Sequence, residues 1–430
     1  MIGYEFEKDE DFSGKLDLED PLARFRERFY VPEGAIYVDG NSLGLLSKDS
    51  ESSLLRVLNE WKTLGISGWL EAKRPWFYLA EELGSMCSKL VGAEPEEVVA
   101  TGTTTVNIHS LVNTFYRPDG KRRKILADEL NFPTDIYALR SVTRLRGFDP
   151  GDCLILVPSE DGRLLDEDKI VELMDEDVAL VFLSSVLYRS GQLLDMQYLC
   201  EEAHSREIPV GFDCSHSVGV VPHCFDKWDV DFALWCSYKY LNGGPGGTAF
   251  LYMNKKHFDR EPALAGWFGQ VKDKQFDMSL NFEHSKSAGG WQISSPAILS
   301  LAPIEGSLKI ILEAGMEAIR EKSLKMTSYL IYLTDEILSG SSYNFAIGTP
   351  REAERRGGHV AIEHEEGMRI AEALRARGVV PDFRPPNVIR MAPIPLYNNY
   401  HEVWKIVQHL KEIIDKREYE KFLTERKKIS

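Results

Sequence analysis

The sequence predicts an α/β fold, with a mostly parallel sheet in a large domain and a smaller α+β domain toward the C-terminus. Two observations carry this reading. Between Glu97 and about Asn254, short apolar runs rich in Val, Ile, Leu and Phe alternate with longer segments of helical spacing. Past residue 300 the alternation gives way to two helical segments with one strand-like run nearby. Runs that are continuously apolar, instead of alternating with polar residues, fit strands covered on both faces, and helices between such strands imply a parallel, doubly wound sheet.

In chain order the expected strands are Lys124 to Ala127, Cys153 to Val157, Val178 to Leu183, Pro209 to Phe212, Phe232 to Cys236 and Thr248 to Tyr252. Met196 to Arg206 has the spacing of a crossover helix. The later helical segments are Glu305 to Leu338 and Glu365 to Arg377, with Val388 to Met391 strand-like, and the charged stretch Lys411 to Lys428 reads as a solvated amphipathic helix. The expected division is an N-terminal arm and helices over 1–65, a large domain over 66–302 and a small domain over 303–430.

Composition narrows the function. A chain of 430 residues with 43% hydrophobic and 27% charged residues has the balance of a soluble globular protein of two or three domains. A net charge of −16 argues against nucleic acid as a partner, because phosphate-backbone binding needs a basic surface. The six cysteines form no CxxC pair, so neither a zinc site nor a disulfide framework is indicated, and reduced thiols of a cytoplasmic protein are expected. Met1 to Asp11 carries acidic residues where a signal peptide carries basic ones, and no apolar stretch is long enough to span a bilayer.

In open parallel sheets the ligand lies beyond the carboxyl ends of the strands, and the chemistry of this chain collects there. Lys239 follows one run and precedes the glycine-rich turn Asn242 to Gly246. Asp213 follows another, within Phe212-Asp213-Cys214-Ser215-His216. An amine that forms a Schiff base must be partly desolvated and fixed, and a buried carboxylate can hold a pyridinium nitrogen protonated, so this pair suits pyridoxal phosphate (PLP) chemistry. Gly102 to Asn107 opens a helical segment with threonines in its first turn, where free N–H groups and the positive dipole end attract a phosphate. Phe132, one residue before a helix-starting proline, could stack on a flat ring. Tyr37 to Gly44 packs two glycines and Asn41 into a turn, and Gly266-Trp267-Phe268-Gly269 sets two large aromatics between glycines, exposed or buried as a pair. Singly, each has an ordinary structural explanation as a turn, cap or core residue.

Taken in order, YVDGNSLG (Tyr37 to Gly44), KRPW (Lys73 to Trp76), NFPTDIY (Asn131 to Tyr137), SYKYLNGGPG (Ser237 to Gly246), GWFG (Gly266 to Gly269) and Arg390 with Pro395-Leu396-Tyr397 resemble the kynureninase family. That family is a PLP-dependent hydrolase group within aminotransferase class V, of the type I PLP-dependent transferase fold. The resemblance implies hydrolysis of L-kynurenine to anthranilate and L-alanine, with 3-hydroxy-L-kynurenine as a second substrate, in tryptophan degradation or NAD biosynthesis. It implies that Lys239 carries the Schiff base and takes the α proton, that Tyr238 protonates the β carbon, and that Asp213 pairs with the pyridine nitrogen. Phe132 stacks on the ring, and Asp135 and His216 also belong to the cofactor site. Thr104, Thr105, Tyr238 and Ser295, the last from a second subunit with Trp267 close by, hold the phosphate, which makes the expected assembly a homodimer with a shared site. Arg390, with Asn41, grips the substrate α-carboxylate, a role that suits the bidentate guanidinium fork. Trp69 and Ser295 stand where animal members carry His and Asn, and losing those polar groups leans toward unsubstituted kynurenine.

Four alternatives stay open from the residues themselves. A cysteine desulfurase needs a mobile cysteine in its second domain, whereas all six cysteines here precede residue 240. Another class V aminotransferase shares the same cofactor grip. A silent homologue acting as a scaffold is disfavoured by the coexistence of Lys239, Asp213 and Arg390, and a nucleotide-binding protein by the lack of GxxxxGK[ST].

Overall fold

A computed structural model describes residues 4–338, 340 and 342–423. Its centre is a seven-stranded sheet of β1 (Val98–Ala100), β2 (Lys124–Asp128), β3 (Leu154–Val157), β4 (Val178–Ser184), β5 (Val210–Asp213), β6 (Phe232–Trp235) and β7 (Phe250–Met253), in the order β1-β7-β6-β5-β4-β2-β3. Strands β2 to β6 pair in parallel, and β7 runs antiparallel to both β1 and β6. Every residue of β4, β5, β6 and β7 is buried, the pattern that continuous apolar runs encode when helices cover both faces. Phe232 stacks at 4.4 Å on Phe115, and at 6.1 Å on Phe182 of the neighbouring face residues, contacts that add about 0.5–1.5 kcal/mol each beyond area burial.

The helices that position the site start where local chemistry says they should. Thr103 caps Thr104–Phe115 through its side chain, and Pro133 occupies the first turn of Pro133–Leu145 with Phe132 as the cap residue. Asp195 caps the crossover helix Met196–His204. The expected helical stretch Glu305 to Leu338 is instead two helices, Ile298–Ala314 and Met316–Leu338, broken at Gly315, whose φ of +81° no helix accommodates.

The C-terminal part carries a second, four-stranded antiparallel sheet of β8 (Ala346–Ile347), β9 (Val360–Glu363), β10 (Asp382–Arg384) and β11 (Val388–Met391), ordered β10-β11-β9-β8. Of these only β11 has a run that stands out in the sequence; β8 and β10 are too short for a period to register. A separate hydrophobic core, including Tyr329, Leu330, Ile362, Ile389, Val403 and Leu410, joins this sheet to its helices, and Leu16 and Val38 from the N-terminal segment complete it. Ile36–Tyr37 also pairs in parallel with Val379–Val380. The Ile298–Ala314 helix, which spans the expected division at 302/303, packs its Leu301, Ile304 and Leu308 into the first core.

The expected solvated helix over Lys411 to Lys428 is placed differently. The helix is Tyr400–Asp415, started by an Asn399/Glu402 capping box, and its Val403, Ile406, Val407, Leu410 and Ile413 are buried. It ends before Arg417, which adopts φ +51°; residues 424–428 of the expected stretch lie outside the described residues. All six cysteines are unpaired, Cys224 exposed and the others buried. Among the described residues no helix is long and apolar enough to cross a membrane.

Candidate active site

The carboxyl ends of β2, β4, β5 and β6 open onto one cavity of about 140 Å³. Its wall includes Asp213, the last residue of β5; Ser215 and His216 from the following turn; and Tyr238 and Lys239 just past β6. Opposite lie Thr104 and Thr105 in the first turn of their helix, Phe132 and Thr134 at the start of the next, and Ser184, Val186 and Tyr188 leaving β4. The Thr105 and Thr134 hydroxyls are 3.0 Å apart, so two helix N-termini meet at this end of the cavity. Such an end presents free N–H groups and hydroxyl donors to an anion.

The half-buried amine lies beside buried acids. Lys239 Nζ lies 2.9 Å from His216 Nε2. Burial, then the neighbouring Lys239 and Arg390 charges, hold the His216 imidazole well below its usual range, so this ring is neutral. Asp213 Oδ1 accepts the Ser215 amide at 2.7 Å. Burial pushes its carboxyl up, and Lys239 and Ser215 oppose that push. Below it Asp135 is completely buried with both carboxyl oxygens lacking a hydrogen-bond partner, and burial, Asp213 and Asp128 drive it well above the carboxylate range. Asp128, at the end of β2, is pushed up to about 7 by burial. Three acids behind one amine form a site that an additional cation would relieve. Burial also raises the Tyr238 phenol, which stays protonated at neutral pH.

Beside the cavity, Arg390 on β11 is 1% exposed. Its Nη1 donates to the Tyr188 carbonyl at 2.7 Å and its Nη2 to Ser42 Oγ at 2.8 Å. Asp382, its direct cross-strand partner on β10, forms an ion pair with Nη2 at 2.6 Å and with Arg384 at 2.8 Å. The Tyr37 to Gly44 loop docks against the lysine segment: the Gly44 amide donates to the Tyr238 carbonyl at 2.7 Å. A Cβ at Gly44 would stand 2.5 Å from the Lys239 carbonyl oxygen, so only glycine allows this approach. Asn41, in the same loop, is fully buried with both side-chain polar atoms unpartnered.

The structure thus gathers Lys239, Tyr238, Asp213, His216, Thr104, Thr105 and Phe132 around one cavity, sets Asp135 beneath it and places Arg390 and Asn41 at its side. Within the chain, Trp267, Ser295 and Trp69 do not line that cavity. Trp267 is 41% exposed and Ser295 is exposed. Trp69 packs edge-on to Trp76 and against Phe268, beside an apolar groove that includes Trp61 and Leu299. Of the two GWFG aromatics one is exposed and one, Phe268, is buried against Phe77. Residues the sequence reading passed over are Thr134, Tyr188, Ser42, Asp382 and Arg384. Thr134 and Tyr188 fall in segments just after expected strands and Ser42 in the Tyr37–Gly44 turn, whereas Asp382 is revealed only by its register opposite Arg390.

Residues 319–410 match the family model described as the kynureninase C-terminal domain. The chain is 57% identical over 420 residues to the kynureninase of Geobacillus thermodenitrificans (strain NG80-2), covering 98% of each chain. It is 54% identical over 425 residues, 99% of each chain, to that of Bacillus thuringiensis subsp. konkukian (strain 97-27), and 55% identical over 416 residues, 97% of each, to that of Shouchella clausii (strain KSM-K16). Among solved structures, a C-DES mutant with glycine covalently linked to the PLP cofactor superposes with a TM-score of 0.77 at 15% identity, covering 90% of this chain and 99% of that one. The apo cysteine desulfurase of Thermococcus onnurineus NA1 gives 0.75 at 17% identity, covering 96% and 100%. At these identities the structural likeness is one of fold.

Proposed function

The chain belongs to the kynureninase family, and from that premise we propose that the Lys239 cavity is where L-kynurenine is hydrolysed. The enzyme is a PLP-dependent hydrolase that converts L-kynurenine to anthranilate and L-alanine. The donor set fits that cofactor. A ring that carries a positive nitrogen and a phosphate needs a buried acid at one end and an anion-binding helix start at the other, and Asp213 and the Thr104–Thr105 turn answer to those needs. Once held on Lys239, the cofactor supplies an electron sink that makes the Cα–H and Cβ–Cγ bonds of the substrate breakable.

The chain's own groups do the rest. Arg390 grips the α-carboxylate, with Asn41 completing that end, and the Tyr188 carbonyl and Asp382 fix the direction of the guanidinium. Asp213 would hold the cofactor's ring nitrogen, with Asp135 and His216 supporting that side of the site. Phe132, at the cavity wall, would offer its ring as a stacking face. Lys239 Nζ takes the α proton, its amine held by neutral His216, which can accept a hydrogen bond from it without adding charge. Water adds to the γ-carbonyl of the substrate, so that Cβ–Cγ cleavage releases anthranilate, and Tyr238, protonated and one residue from that amine, then delivers a proton to the β carbon of the departing alanine.

We propose further that two copies pair, so that Trp267 and Ser295 of one complete the phosphate side of the other. Their exposure and distance from their own chain's cavity wall support this, as do the exposed Phe276, Met278 and Leu280 nearby, an apolar surface that suits burial between subunits. Trp69 and Ser295 are assigned to the aromatic end of the substrate and favour kynurenine over its 3-hydroxy form. The organisation that goes with this is a large cofactor-binding domain over 66–302, a small domain over 303–430 and an arm over 1–65, in a cytoplasmic enzyme of tryptophan breakdown or NAD synthesis.

The observation that carries the proposal is the half-buried amine of Lys239 sharing one cavity with the buried Asp213 carboxylate. Lys239→Ala tests it: anthranilate formation and the visible absorption of the bound cofactor should both disappear, and retention of either rejects the assignment. Comparing kcat/KM on the two substrates tests the preference, and sedimentation at micromolar concentration tests the dimer.

A further inference from the structure

His359 immediately precedes β9, in the C-terminal sheet that also carries Arg390, yet its ring packs against His216 of the large-domain site. It is fully buried. Its ring meets His216 edge to face, with centroids 5.8 Å apart and planes at 62°, and His216 Nε2 in turn lies 2.9 Å from Lys239 Nζ. On its other side is the turn that leaves β4. The Arg189 carbonyl faces the ring, although neither ring nitrogen has a hydrogen bond of good geometry. That turn is the one whose Tyr188 carbonyl receives Arg390 Nη1 at 2.7 Å and whose Tyr188 ring stands edge-on to Phe132 at 5.4 Å. It is stitched to the segment leading to His359: Gly357 donates its amide to the Gly191 carbonyl at 2.8 Å, and Thr349 donates its hydroxyl to the Ser190 carbonyl at 2.5 Å. Gly191 adopts φ +77°, and a Cβ there would lie 3.2 Å from His359 Nε2 and 2.9 Å from its carbonyl oxygen, so the turn makes room for this residue.

We propose that His359 is a positioning residue for this reaction: through one imidazole the C-terminal sheet touches both the turn that orients Arg390 and the ring that holds the Lys239 amine. The proposal rests on the roles assigned above to Arg390, His216 and Lys239. Packing alone gives no reason for nitrogen here. A fully buried imidazole without good hydrogen bonds is costly to keep, and an apolar side chain of similar size would fill the seat at lower cost. Burial, followed by the Arg390, Lys239 and Arg384 charges that face it, keeps the ring neutral, as it does the His216 ring against it. His359 therefore sets geometry without adding a charge beside the amine. Since Arg390 rides on the same sheet, any shift of that sheet moves the grip on the substrate carboxylate and the imidazole behind the amine together. A displacement of about 1 Å between such groups is enough to cost on the order of a hundredfold in rate.

Two variants of the holoenzyme test this, His359→Leu and His359→Gln, with rates referred to the cofactor-loaded fraction read from the visible absorption. The expected result is a loss of kcat/KM on the order of tenfold or more, shared between kcat and KM, because both Lys239 and Arg390 are touched. The pH midpoint of the cofactor absorption should also shift by about half a unit or more, since the partner of the His216–Lys239 pair has changed. A residue that merely fills space would lower thermal stability or cofactor loading and leave that midpoint alone. Gln restores a polar group but no ring, so it should fall between Leu and the parent. If Leu prevents folding, the Gln variant decides, and parental kcat, KM and pH midpoint in whichever variant folds overturn the proposal. Lys239→Ala made alongside separates the two failures: a silent His359 with a dead, colourless Lys239→Ala sinks this inference alone, whereas a coloured Lys239→Ala removes its foundation.

Discussion

Replacing Arg390 by Lys tests the substrate grip most sharply, because it keeps the charge and removes the fork. Arg390 is 1% exposed, and its guanidinium is already oriented by the Tyr188 carbonyl at 2.7 Å, Ser42 Oγ at 2.8 Å and Asp382 at 2.6 Å. Lysine offers a compact ammonium that cannot meet these partners and a carboxylate at once, so about one charge-assisted hydrogen bond, worth about 1.5–3 kcal/mol, is lost from the substrate complex. At about 1.4 kcal/mol per tenfold, KM for L-kynurenine should rise roughly 10- to 150-fold. The carboxylate is gripped in ground and transition states alike, so kcat should stay within about threefold. Steady-state assays following anthranilate fluorescence give both constants. Kynuramine, the substrate without its carboxylate, supplies the control: the parent and Arg390→Lys should process it equally. An unchanged KM, or an equal loss on kynuramine, refutes the assignment of Arg390 to the carboxylate.

Asp39, in the loop beside Arg390, is pushed up to about 6, first by burial and then by Asp382. Its carboxyl therefore ionises as pH rises through about 6, adding negative charge beside the guanidinium, so KM should climb across that range in the parent and stay flat in Asp39→Asn, as a KM–pH profile will show. Gly44→Ala would set a Cβ 2.3 Å from Asn242 Oδ1 and 2.5 Å from the Lys239 carbonyl. The loop must lift from the lysine segment, and kcat/KM should drop by about tenfold or more while circular dichroism is unchanged. At the opposite end of the sheet, buried Asp231 accepts from the Val210 amide at 2.8 Å and pairs with His204 at 2.8 Å, His257 at 2.6 Å and Lys256 at 3.0 Å. The two histidines and Lys256 outweigh burial and hold its carboxyl far below the usual range. A carboxyl lowered in the folded state contributes stability that is complete above its unfolded value, about 3.9, and is lost as pH falls below it. Asp231→Asn should lower the urea midpoint at pH 7, with the difference from the parent shrinking toward pH 3; an equal difference at both pH values contradicts the role given to its charge.

Much of the site was legible because a parallel sheet brings every strand's carboxyl end to one edge. Once β2, β4, β5 and β6 were read from continuous apolar runs, Phe132, Asp213 and Lys239 had to face one another, whatever the details of packing. The helix start at Thr104 was likewise local, fixed by a capping threonine. The strand ends needed adjustment: Asp213 is the last strand residue and not the first beyond it, and Cys153 closes the short helix Pro150–Cys153 before β3. Signals in the C-terminal part were weaker, since β8 and β10 have two and three residues and the capping box at Asn399 marks a helix start that the charge pattern alone displaced.

By itself, then, the order of residues determined the large sheet, the helix starts and which residues stand at its functional edge, because periodicity, capping and strand direction act over a few neighbours. Tertiary structure decided what those residues touch. Arg390 meets Ser42 across 348 positions and Tyr188 across 202, and its counter-charge is Asp382 because the β10–β11 register sets the two side by side. His359 reaches His216 only after two separately built cores have packed together. Trp69, Trp267 and Ser295 end away from their own chain's cavity, although the family resemblance assigns all three to the site. Contacts of this kind carry no local period or cap; they arise from shape and charge matching between surfaces that do not exist until each part has folded.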